Sequence, residues 1–155
     1  MQAQTRFDLF EPGDLTALVC IDEPDVQSEV LEQLGHLNYK IHTGLFGEDV
    51  SLKMRTHVYD VLVVYETFGG LDFEHNQVLN ELRVLPISQR RKQVCVVVGP
   101  NMVTGDTLQA FGFSVDVVLG VSDVENLRLI LRRVSARHKQ LYTRLTECME
   151  VLGMA

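Results

Sequence analysis

The sequence predicts an α/β fold, a doubly wound five-stranded parallel sheet with helices on both faces and an extended C-terminal helix. Three observations predict it. Short apolar runs alternate with amphipathic stretches in the order β-α-β-α-β-α-β-α-β-α. Two of those runs, Val61–Tyr65 and Val94–Val98, are apolar at nearly every position, as strands covered on both faces must be. Finally, no glycine or proline interrupts the chain from Asp123 to Leu152, so the last helix outruns the sheet it has to cover.

A chain of 155 residues with 46% hydrophobic and 23% charged side chains fits one globular domain. Its expected parts are an N-terminal arm over 1–14, the domain over 15–136 and an extension of the last helix over 137–155. No apolar run reaches the ~20 residues of a membrane span, and the opening Met-Gln-Ala-Gln-Thr-Arg does not read as a signal peptide. Neither a membrane nor a cofactor is expected. Cys20, Cys95 and Cys148 are odd in number and far apart, without metal-clamp spacing, which points to a reducing cytoplasm. The net charge of −7 is unevenly spread: residues 1–82 hold four basic and fifteen acidic side chains, residues 83–155 ten basic and six acidic. Such polarity can orient encounters with a charged partner or simply solvate two faces, and an acidic chain is not expected to bind nucleic acid.

Taken in order, the arm ends in Glu11-Pro12-Gly13-Asp14, a turn signal, and Thr16–Ile21 reads as the first strand. Asp22-Glu23-Pro24-Asp25 opens a helix, with proline in the first turn and acids at the positive end of the helix dipole. Val26, Val30, Leu31, Leu34 and Leu37 recur at helical spacing, and Gly35 lies near the stop. Tyr39–Thr43 alternates as a second strand, and Gly47–His57 is a short helix with Val50 and Met54 inward. The third strand leaves Asp60 and delivers Tyr65 to a loop bearing Gly69-Gly70, at the edge where open α/β sheets carry out chemistry. A helix over 72–85 shows the stripe Val78, Leu79, Leu82 and Leu85, and residues 88–93 form a basic connector. Val94–Val98 is the fourth strand, ending at Gly99-Pro100. A helix over 104–111 leads through Gly112 to a fifth strand, Val115–Leu119. Ser122 or Asp123 is the candidate cap of the last helix.

Five of these segments resemble a known family. Leu18-Val-Cys-Ile-Asp-Glu-Pro-Asp-Val26 is similar to the opening of a bacterial response-regulator receiver domain, and Tyr59-Asp60-Val-Leu-Val-Val64 to its third strand. Phe68-Gly-Gly-Leu-Asp72 parallels its Met-Pro-Gly-Met-Asp loop. Residues 112–119 and 123–127 parallel its last strand and the start of its last helix. The resemblance implies a flavodoxin-like sheet of order 2-1-3-4-5. It also implies an aspartate that accepts a phosphoryl group after the third strand, acids that hold magnesium after the first, and a hydroxyl and a lysine after the fourth and fifth. Aligned on Asp60 and Gly69-Gly70, the acceptor position is Tyr65. The acid pair becomes Ile21 and Asp22, the hydroxyl position falls at Val98 or Gly99, and the lysine position at Gly120. The resemblance is therefore to a degenerate pseudo-receiver without the phospho-acceptor. A register slip that puts Glu66 at the acceptor position would reverse every facing of the strand. A metal on Asp22, Glu23 and Glu66 competes with plain solvation of loop acids.

In the last helix, Leu127, Leu131, Val134, His138, Leu141, Leu145, Cys148 and Leu152 follow an unbroken 4-3 spacing, a heptad seam. Its distal half needs a surface beyond the domain, either a second copy or a signalling partner, or else the chain's own sheet edge. Arg132, Arg133, Arg137, Lys139 and Arg144 flank it and would suit an acidic partner. The expected function is a phosphorylation-independent interaction and dimerisation module. The alternative is a small-ligand sensor, nucleotide-like in specificity, contacting its ligand through Tyr65, Phe68 and Asn101. An enzyme is not expected: the sequence has no phosphate-cradling glycine loop, no GxSxG elbow and no recognisable Cys/His pair. His36, His42, His57 and His75 have no metal-ligand spacing and read as surface residues.

Overall fold

The computed structural model describes residues 10–70 and 75–153. Five parallel strands, β1 (Thr16–Cys20), β2 (Lys40–Thr43), β3 (Val61–Tyr65), β4 (Val94–Gly99) and β5 (Val117–Gly120), lie in the order β2-β1-β3-β4-β5. The central strand is β3, with Val63 opposite Val19 on one side and Val96 on the other.

Alternation along each inner strand divides the core in two. Ala17, Val19, Val61, Val63, Val96 and Val98 pack against α1 (Pro24–His36) and α6 (Leu127–Val151). Leu18, Cys20, Leu62, Val64, Cys95 and Val97 face the helices α2 (Gly47–Thr56), α3 (Gln77–Arg83) and α5 (Thr107–Phe113). With both faces covered, neither set can be polar, which is why β3 and β4 read as apolar throughout. No helix among the described residues is long and apolar enough to cross a membrane.

Local chemistry moves several boundaries. α3 starts at Gln77, capped by buried Asn76, whose side chain accepts from the N–H groups of Val78 and Leu79; the expected start at Asp72 lies outside the described residues. The basic connector contains one helical turn, α4 (Ile87–Arg90), after Pro86. Asp106 caps α5, which runs through Gly112 and closes on Ser114 at φ 60°, with the Val115 N–H bonded to the Ala110 carbonyl. Val115 is thereby part of a helix C-terminus rather than of β5.

The expected polar cap of α6 is absent. A 3-10 segment, Val121–Asn126, precedes the helix, and neither Ser122 nor Asp123 caps it. α6 itself has 25 residues, about 37 Å at 1.5 Å per residue. Two supposed surface histidines also turn inward. His42 bonds the Tyr59 hydroxyl at 2.8 Å, and the rings of His42, His57 and Tyr59 surround Phe10.

Candidate functional site

The carboxyl ends of β1, β3, β4 and β5 converge on the positions where the sequence placed a degenerate phosphorylation site. Ile21, in place of the first acid, is buried in the α1/α6 core. Asp22 is exposed, and its Oδ2 accepts the Gly69 N–H at 2.9 Å, joining the β1 loop to the β3 loop. Gly69 and Gly70 make that turn with φ of 82° and 76°, a region most residues avoid. Glu23 is turned away to cap α1, accepting from the Asp25 N–H.

Tyr65 is the last residue of β3 and lies opposite Val98 of β4. Its ring is half-buried against both cores. Burial, together with the nearby carboxylates of Glu23, Glu66 and Asp22, pushes the phenol above the usual tyrosine range. At physiological pH it is a neutral hydroxyl, a poor nucleophile and a poor ligand for a hard cation.

Glu66 is the residue that sequence reasoning undervalued. Its carboxylate belongs to a residue only 5% exposed and lies directly over Gly99. One carboxylate oxygen accepts the Asn101 backbone N–H at 2.8 Å and the other the Asn101 amide at 3.2 Å. The glycine at the hydroxyl position is therefore the space that this carboxylate occupies. At the lysine position, the Gly120 N–H donates to Thr104 Oγ1 at 2.9 Å, and Thr104 donates to Asp123 at 2.5 Å. A Cβ on Gly120 would stand 3.0 Å from the Met102 carbonyl oxygen, so the β4–α5 loop sits where a longer side chain would need to pass.

The three acids considered for a metal thus face three separate partners. Of the three residues considered for a ligand, Phe68 is buried among α3-side core residues and cannot offer its ring to the crevice. Asn101 is exposed, but its backbone N–H and side-chain amide are bonded to Glu66, and Tyr65 retains a partly open face.

The seam of α6 is likewise split. Leu127, Leu131 and Val134 are buried in the domain's own core, a correction to their assignment as partner contacts. His138 is bonded to the domain. Leu141, Leu145, Cys148 and Leu152 remain exposed, with Leu141 at 62% and Leu145 at 41%.

No protein-family model and no curated protein matches this chain. Solved structures do. The signal receiver domain of a LuxO repressor protein from Vibrio parahaemolyticus superposes with a TM-score of 0.65 at 10% identity, over 84% of this chain and 96% of that one. A response regulator from Chloroflexus aurantiacus gives 0.64 at 14% identity, over 79% and 98%. The chain has the receiver fold. The receiver domain of a Pseudomonas aeruginosa sensor histidine kinase, solved with magnesium coordinated in its active-site cleft, gives 0.62 at 18% identity, over 79% and 98%. These receivers match over 96–98% of their own length and cover 79–84% of this chain.

Proposed function

We propose that this chain is a phosphorylation-independent receiver module of bacterial signal transduction, which joins proteins in the cytoplasm through the overhanging half of α6. The observation that carries this reading is Tyr65 at the end of β3, where the receiver resemblance puts an aspartate. A carboxylate there serves as nucleophile and magnesium ligand together, and a neutral phenol serves as neither. With glycines at the hydroxyl and lysine positions, charge developing on a phosphoryl group meets no side-chain donor. Parts that act as a unit fail as a unit, so no partial activity is expected.

The test is direct. Incubation of the full chain with acetyl phosphate and magnesium is expected to leave its intact mass unchanged. A phosphoryl adduct on any carboxylate would overturn the reading.

For the partner, we infer a second copy that covers Leu141, Leu145, Cys148 and Leu152, with a signalling protein as the next ligand of the assembly. Four exposed apolar positions in 4-3-4 spacing form the stripe that two helices bury together. Each leucine so covered contributes on the order of 1–2 kcal/mol. Sedimentation is expected to give twice the 17.5 kDa chain mass. The variant Leu141→Glu/Leu145→Glu is expected to be a folded monomer, because neither side chain is part of the domain core. A wild-type chain that stays monomeric at all concentrations would sink the dimer.

A further inference from the structure

Where α6 leaves the domain it passes the amino edge of the sheet, and there His138 is held at both ends of its ring. Nδ1 lies 3.2 Å from Asp116 Oδ1, and Nε2 lies 2.6 Å from the Arg91 carbonyl oxygen. Both partners can only accept when Asp116 is ionised. Both ring nitrogens must therefore donate, which only the imidazolium can do. The neutral ring has one N–H, and its other nitrogen would point a lone pair at an oxygen. The histidine side chain is 10% exposed, so water is poorly placed to intervene.

We propose that His138 is a pH-operated clamp: protonated, it fastens the overhanging half of α6 to the amino edge of the sheet, and neutral, it lets that half swing free. The inference concerns how the helix is held and stands whether or not the helix pairs with a second copy.

The surroundings fix the sign. Asp116, just before β5, uses its other oxygen to accept from the Cys95 N–H at 2.7 Å and from Arg90 at 3.1 Å. Burial works against its charge, but His138, Arg90 and the Cys95 N–H outweigh it and hold the carboxyl below the usual range. For His138, the Asp116 carboxylate raises the pKa first, burial opposes, and the Arg91 carbonyl supports the rise. Arg90 is the opposing cation facing the ring, and it is itself held on Asp116. The groove beside the clamp, about 740 Å³, brings in Asp60, Tyr39, Arg91 and Lys92 from the sheet side and Lys139, Glu147 and Glu150 from α6. Asp60 accepts from the Thr16 N–H, and burial raises the Tyr39 phenol, so the phenol keeps its proton near neutrality. A histidine whose folded pKa is raised contributes stability below its unfolded value and loses it as pH climbs through the folded one. Asp116, lowered, loses its contribution only as pH falls through its own folded value. The clamp is therefore closed in mildly acidic solution and opens as pH climbs through the raised His138 value.

Two measurements on the full chain test this. Ring-nitrogen NMR is expected to show His138 doubly protonated and titrating above the ordinary histidine value. Hydrogen exchange, corrected for its intrinsic pH dependence, is expected to show protection of residues 139–151 falling toward tenfold per pH unit above the His138 midpoint. In His138→Gln that dependence should vanish. If His138 titrates at or below the ordinary histidine value, or if His138→Gln keeps the wild-type pH profile, the clamp is wrong.

Discussion

Gly99→Ala is expected to cost about 2–4 kcal/mol of stability, an overpacking penalty joined to the loss of buried hydrogen bonds. Nothing in the backbone forbids alanine, since Gly99 does not occupy a left-handed conformation. The obstacle is one side chain. The new Cβ would stand 2.0 Å from Glu66 Oε1 and 2.4 Å from Cγ, so Glu66 must leave its site. Leaving breaks both contacts with Asn101 and strands a buried carboxylate. At this chain length the loss should lower the melting midpoint by roughly 5–15 °C. Glu66→Ala alone should cost only about 1 kcal/mol, because water can reach the exposed Asn101. In that background Gly99→Ala should add less than about 1 kcal/mol, since residues in contact do not add independently. Equal penalties in both backgrounds, read from urea unfolding, would mean that Glu66 does not fill the space over Gly99.

Asn76→Ala carries the second large effect, about 2–4 kcal/mol, because one fully buried amide holds three backbone groups. Its oxygen accepts from the N–H groups of Val78 at 3.0 Å and Leu79 at 3.3 Å, and its nitrogen donates to the Tyr65 carbonyl at 3.2 Å. Alanine removes the cap of α3 and also leaves the end of β3 unpaired in a dry setting. Asn76→Ser, which keeps a capping oxygen but cannot reach Tyr65, should recover about half of the loss. Alanine and serine variants of equal stability would show that the link to Tyr65, and not the cap, carries the effect; a loss below about 1 kcal/mol would refute both contributions.

The sheet was legible because covered strands leave a mark that survives any detail of packing. Val61–Tyr65 and Val94–Val98 admit no polar residue, and the helices between them fix the parallel topology. Tyr65 was legible for the same reason, as the last residue of such a strand. Glu66 was not, because two-residue alternation ends with the strand, and whether the next carboxylate points to water depends on a glycine 33 positions away. Asn76 carried a signal, an asparagine just ahead of Val78, Leu79 and Leu82, that marks a helix start better than Asp72 did. Asp123 carried a misleading one: it looks like a cap, yet its carboxylate serves Thr104. The seam of α6 tells which side of a helix avoids water, not whose surface it meets. Leu131 and Leu145 look alike in sequence, and only the extent of the sheet separates them.

The three cysteines bear on how the molecule can be handled. Cys20 and Cys95 are sealed in the core, and burial raises both thiols far from reactivity, Cys95 to about 12. Cys148 stands in solvent near the tip of the overhang. In a single chain that thiol is open to a dye or a spin label, whereas in the proposed dimer the second copy covers it, so its rate of labelling reports pairing directly.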